Sequence, residues 1–234
     1  MDISWYGLSC FRIRERGTAV ICDPYKQLSG FVLPKLNANI VTMSQGRRDQ
    51  TGTAEAKEYV INKGSVIEGD PKVLQGPGEY EIDNVFATGS VTLKKQVEDA
   101  DETPKRNIVF FFELGGFSIG HLGQLNSVPK QSQVDDWNVG DLDVLMVPVG
   151  GSSVLDPTQA VEIIGMLEPK VVLPMFYHQD DLSATEHASL EPLDKFLKEF
   201  GTTELEVQNQ LRITKSGLPE ETQIMLLKSG HGTK

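Results

Sequence analysis

Asp143-Val144-Leu145-Met146-Val147-Pro148-Val149 is an unbroken apolar run closed by Gly150-Gly151, and its lack of alternation reads as a strand buried on both faces. Lys170-Val171-Val172-Leu173-Pro174-Met175 repeats the pattern. Between them, Ala160, Val161, Ile163, Ile164 and Leu167 in Pro157–Leu167 follow the three-four spacing of an amphipathic helix. Leu193, Phe196, Leu197 and Phe200 form one stripe of a second helix over Leu190–Phe200. Buried strands with helices outside them predict an α/β chain. None of the apolar runs nears the roughly 18 residues of a membrane span.

The remainder reads as short strands with glycine and proline punctuation. Ile3–Tyr6, Cys10–Arg14 and Thr18–Cys22 open the chain as a meander, and Asp23-Pro24-Tyr25 ends the third run. Asn39–Met43 is a further strand, running into the polar stretch Ser44–Gly52; loops just past buried strands are where sites are built. Thr53–Lys63 predicts a short helix with Thr53 as its N-cap. Short strands follow at Val66-Ile67, Lys72–Leu74, the segment through Ile82, and Val85–Thr88, then an exposed polar loop at 94–107. Asn107–Glu113 and Gly116–Gly120 resume the strand pattern, Leu205–Val207 and Thr222–Leu227 close it, and the expected organisation is one four-layer α/β domain over residues 1–234.

Lys+Arg 22 against Asp+Glu 33 leaves a net charge of −11, which disfavours phosphate backbones and anionic lipid, so neither nucleic-acid nor membrane binding is expected. Arg47-Arg48 is the one compact basic candidate and reads as solvated surface. The amino-terminal residues lack a secretory pattern, so a cytoplasmic location is expected. Cys10 and Cys22 could bridge neighbouring strands, or serve as small buried hydrophobes in a reducing compartment, the preferred reading.

The opening Ile3–Ile13, then Ile21-Cys22-Asp23-Pro24-Tyr25, Gly76-Pro77-Gly78-Glu79-Tyr80-Glu81, Ile119-Gly120-His121-Leu122-Gly123, Val147–Gly151 and Val172–Met175 together resemble the metallo-β-lactamase-fold hydrolases, in particular the branch similar to ascorbate-6-phosphate lactonases. The resemblance is spread in order over roughly residues 3–177 and implies the four-layer αββα sandwich of that fold. It also implies a dinuclear metal centre held mostly by histidines, with the signature His-x-His-x-Asp-His after Val-Thr-x-Ser. Here Val41-Thr42-Met43-Ser44 is followed by Gln45-Gly46-Arg47-Arg48-Asp49-Gln50, so that only Asp49 keeps its type. Gln124 stands where the bridging aspartate belongs, Phe176 where a histidine follows Pro-Met, and no histidine precedes residue 121.

Amide oxygen is a weak ligand for zinc, manganese or iron, and a guanidinium has no lone pair to give. Arg47 at such a position would repel a cation by several kcal/mol in a partly dry cleft. The sequence therefore predicts a lost metal site with no metal cofactor and no catalytic residue. In its place it predicts a polar cleft of Gln45, Arg47, Asp49, Gln50, Asp23, His121, Gln124, Phe176 and His178, able to accept an anionic small molecule through Arg47. His178 is the candidate for a shifted ligand, with a loop histidine bonded to backbone or to Asp180/Asp181 preferred; His121 is expected to orient a backbone carbonyl. Gly150-Gly151-Ser152-Ser153 lacks a phosphate-binding lysine and reads as a tight turn; Glu79 and Glu81 read as an exposed strand face. Ser9-Cys10 has no adjacent histidine to activate it.

The leading expectation is a non-hydrolytic binding or assembly module, possible as a homo-oligomer. The alternative is a metal-dependent hydrolase of phosphate esters or lactones with a rearranged site, and a third is a purely structural subunit.

Overall fold

The computed structural model describes residues 1–25, 27–28, 31–45, 67–93, 106–180, 189–203 and 205–230. The opening meander forms β1 (Asp2–Trp5), β2 (Phe11–Glu15) and β3 (Thr18–Cys22), each antiparallel to the last. Short ribbons join β4 (Gln27–Leu28) to β5 (Phe31–Val32) and β6 (Leu36–Asn37) to β8 (Ile67–Glu68). The first sheet is completed by β7 (Ile40–Thr42) and β9 (Lys72–Leu74), both added parallel, and has the order β17-β1-β2-β3-β7-β9, with β17 (Leu211–Arg212) returning from the far end of the chain.

The second sheet starts with three antiparallel partners, β10 (Gly78–Ile82), β11 (Val85–Leu93) and β12 (Arg106–Leu114), followed by β13 (Phe117–His121). From β13 onward it is parallel, through β14 (Val144–Pro148), β15 (Val171–Met175) and β18 (Gln223–Ile224). β16 (Val207–Gln208) pairs with β19 (Leu226–Leu227). Helices α1 (Gln131–Asp136), α2 (Pro157–Leu167) and α3 (Leu193–Phe200) supply the crossovers that parallel strands need. The Asp156 side chain accepts from Gln159 N at 2.9 Å and starts α2, with Pro157 at its first turn.

The period-two direction of side chains sorts the second sheet between two cores. From β12, Ile108, Phe110, Phe112 and Leu114 enter the core between the sheets, where they meet Ile3, Trp5, Phe11, Ile13 and Ile21 of the first sheet. Val109 and Phe111 point the other way, into a second core with Leu145, Val147, Val172 and residues of the three helices. Every residue of β14 and β15 is buried, as their unbroken apolar runs require. Each fully enclosed side chain of this size contributes about 1.5–3 kcal/mol.

Several sequence expectations shift by a residue or two. The polar stretch before β12 ends at residue 105, and Arg106 and Asn107 are already strand. The second helix starts at Leu193, because Pro192 in extended conformation precedes it. α1 has no long apolar stripe and is invisible to periodicity. The helix expected at Thr53–Lys63 and residues 94–105 lie outside the described residues. Cys10 and Cys22 are buried free thiols.

Candidate functional site

The ends of β3, β7, β13 and β15 meet at one edge of the sandwich. At the end of β3, Asp23 takes a left-handed backbone (φ 46°), and its carboxylate accepts from Ser44 N at 2.6 Å and from Ser44 Oγ at 2.5 Å. Ser44 is buried just past β7 and its carbonyl accepts from Ile108 N at 2.7 Å, which stitches the two sheets together. Asn107, fully buried, donates from Nδ2 to Thr92 Oγ1 and to the Leu122 carbonyl, both at 3.0 Å. Its Oδ1 accepts from Gln124 N at 2.8 Å, and Gln124 Oε1 in turn accepts from Gln45 Nε2 across the cleft.

Gly123 makes this closeness possible. Its φ is +59°, and a Cβ there would sit 2.4 Å from Ser44 Cβ and 2.6 Å from Asn107 Oδ1. A second close approach occurs at Gly150, where a Cβ would lie 2.2 Å from the Phe176 carbonyl oxygen. Phe176 itself is buried in a left-handed conformation (φ 57°), an unusual state for a bulky residue that persists where surroundings impose it.

His121 is fully buried at the end of β13, edge-on to Phe11, with its Nε2 2.9 Å from the Ser9 carbonyl. A carbonyl only accepts, so Nε2 carries the proton. Burial lowers the imidazole pKa below its ordinary value against the opposing pull of Asp23 and the Ser9 carbonyl, so the ring is neutral and Nδ1 bears a lone pair with no hydrogen-bond partner. Burial, reinforced by Asp23 and the neighbouring Cys22, pushes the Cys10 thiol well up; burial does the same at Cys22. Both stay protonated, which removes the thiolate a nucleophile would need.

Of the nine residues the sequence places in the cleft, Asp23, Gln45, His121 and Gln124 come together, and Phe176 is buried in the core between the sheets with its carbonyl against Gly150. His178 does not join. Its ring lies 3.8 Å from the exposed Asp180, and its backbone N–H donates to Glu191 O at 2.9 Å, which is the loop-histidine arrangement. Arg47, Asp49 and Gln50 lie outside the described residues. Sequence reading gave Ser9, Ser44, Asn107 and Gly123 no place in the cleft; Ser9, Ser44 and Gly123 stood inside quoted segments without a role, and Asn107, an isolated buried polar residue, carries no motif.

A dinuclear transition-metal centre needs three to four strong donors per ion. Among the described residues the cleft supplies two, and Asp23 is already engaged by Ser44. No group of three or more His, Cys, Asp or Glu that could hold a metal ion occurs among them. The orphaned Nδ1 of His121 is a ligand-type atom, but alone it does not make a site, so the described donor set does not fit two transition-metal ions.

Two packed mixed sheets with a polar cleft at the strand ends define a protein of the metallo-β-lactamase fold, α/β in class. The chain belongs to the beta-lactamase superfamily domain family, whose model matches residues 2–176. It is 24% identical over 225 residues to a UPF0173 metal-dependent hydrolase of Desulforamulus reducens, covering 88% of this chain and 96% of that one. A UPF0173 protein of Pyrococcus abyssi is 24% identical over 181 residues, 76% of this chain and 83% of its own. A solved structure from Thermotoga maritima, assigned to the zinc-dependent hydrolases of the metallo-β-lactamase superfamily, superposes with a TM-score of 0.72 at 29% identity over 97% of this chain and 99% of that one.

These relatives correct the expectation of a non-hydrolytic binding or assembly module. Full-length homologues are named metal-dependent hydrolases, and the family extends across both sheets of the cleft. The expectation erred by equating altered ligand positions with lost activity: which donors a cleft holds is a narrower question than whether the molecule hydrolyses. No helix among the described residues is long and apolar enough to cross a membrane.

Proposed function

We propose that the chain is a cytoplasmic hydrolase, metal-dependent like its named relatives, acting on an anionic small molecule that is a phosphate ester or a lactone, with a site rearranged from the histidine-rich pattern. One observation carries this reading: the similarity to the Thermotoga maritima protein runs over 97% of this chain and 99% of that one at 29% identity. In the chain itself, the bonds from Ser44 to Asp23 and from Gln124 to Asn107 brace each rim, and the bond from Ile108 N to the Ser44 carbonyl ties one rim to the other, the preorganisation that transition-state stabilisation demands. Gln45 and Gln124 present neutral amides at the mouth, which tolerate a charged substrate without the cost of a buried like charge.

The test is turnover of bis(p-nitrophenyl) phosphate, p-nitrophenyl phosphate and a series of γ- and δ-lactones by protein purified without chelator, alongside its metal content by plasma mass spectrometry. Expected is turnover of one class that EDTA abolishes and zinc or manganese restores. Absence of turnover on every substrate after reconstitution with zinc, manganese, iron and magnesium overturns the reading.

A further inference from the structure

A further open cavity, of about 480 Å³, lies away from the cleft, and its lining includes Arg12, Arg14, Asn37, Asn39 and Glu68 beside small residues. Phe11 and Ile13 of β2 enter the core between the sheets, so the alternating Arg12 and Arg14 stand on the opposite face. Two residues apart on one face, their stems rise roughly 7 Å from each other and two guanidiniums can converge on one ligand. The cavity adjoins the β2–β3 turn and the start of β7. Asp23 is at the other end of β3, a strand length of roughly 15 Å.

Among the described residues neither arginine forms an ion pair, although the chain has 33 acidic residues to 22 basic, and Arg12 Nε is enclosed with no hydrogen-bond partner. Arg16 and Arg212, by contrast, each meet a carboxylate, Glu15 at 3.4 Å and Asp2 at 3.7 Å. The one acid lining the cavity, Glu68, faces Lys35 at 3.6 Å. Asn39 is held rigid, its Oδ1 accepting from Ala19 N at 2.9 Å and its Nδ2 donating to Asp83 at 3.0 Å. An enclosed donor left without an acceptor is costly, and in so acidic a chain two adjacent guanidiniums with no ion pair among the described residues mark a place where an anion completes the structure.

We infer that Arg12 and Arg14 form a phosphate-binding site distinct from the cleft, which takes inorganic phosphate or a small phosphomonoester. Two fixed monocations match a dianion better than a single carboxylate, and the planar fork of each guanidinium suits phosphate oxygens. The inference does not depend on the hydrolase reading.

The test is isothermal titration calorimetry of the intact protein with inorganic phosphate, with phenylphosphonate, which a phosphatase cannot cleave, and with acetate, all near pH 8 at low ionic strength. Expected is saturable 1:1 binding of phosphate, phenylphosphonate or both, with no saturable heat from acetate. Phenylphosphonate binding tighter than phosphate assigns an organic phosphomonoester, and the reverse order assigns the free ion. Arg14→Gln, at an exposed position that leaves the melting temperature in place, weakens binding about tenfold or more. Adding Arg12→Gln removes it. Failure of both phosphate probes to bind, acetate binding as tightly as phosphate, or affinity that survives the double substitution overturns the inference.

Discussion

Asp23 holds the loop after β7 with two hydrogen bonds from Ser44, one from backbone and one from the hydroxyl, in a largely buried setting. Asp23→Ala leaves both donors without an acceptor and costs about 2–4 kcal/mol, read as a lower urea midpoint, with hydrolytic turnover lost in the same variant. His121 gives a pH dependence of definite sign. Burial holds its pKa in the folded chain below 6.5, while unfolding returns it to that value. Below pH 6.5 the unfolded chain therefore binds a proton that the folded chain does not. This group's contribution to stability is intact above pH 6.5 and is lost as pH falls toward the lowered folded value. Melting temperatures at pH 8, 6 and 5 check this: wild type falls more steeply than His121→Gln, and parallel profiles refute it.

At the scale of elements, the cleft depends on loops that approach more closely than a β-carbon allows. Gly123→Ala forces a methyl group to within 2.4 Å of Ser44 Cβ at a left-handed φ, and destabilises by more than about 2 kcal/mol. The N-cap of α2 is the contrast. Asp156→Ala removes the bond to Gln159 N and costs about 1 kcal/mol, but it lies outside the cleft and leaves turnover unchanged. Thermal melts and rate measurements on both variants separate an element that merely supports the fold from one that shapes the site. Most of the elements were legible because β14, β15 and α2 announce themselves by local pattern. α1 and the two-residue strands were not, since their conformation is imposed by neighbours rather than by periodicity.

Over the whole molecule, Trp5 sits in the core between the sheets and Trp137 in the core between the second sheet and the helices. Tyr177 packs against both cores and its ring lies 5.3 Å from that of Trp5. With β12, β14 and β15 contributing alternate side chains to each core, the two should melt together. Single-tryptophan variants Trp5→Phe and Trp137→Phe are expected to report the same urea midpoint by fluorescence as circular dichroism does; midpoints that separate would show two independent units.

Local alternation and spacing determined the strands and the principal helices, because burial on one face or two leaves a periodic imprint in the residues themselves, while the superfamily was legible only through segments that resemble it. The same residues fixed which donor types could reach the cleft. Tertiary structure alone decided that Asp23 is committed to Ser44, that His121 keeps its proton on Nε2 and an unpartnered lone pair on Nδ1, and that Arg12 and Arg14 stand over a cavity with no ion pair among the described residues. Those facts depend on partners far apart in the chain, as His121 is from Ser9, and hydrogen bonding and charge pairing across such separations leave no local pattern to read.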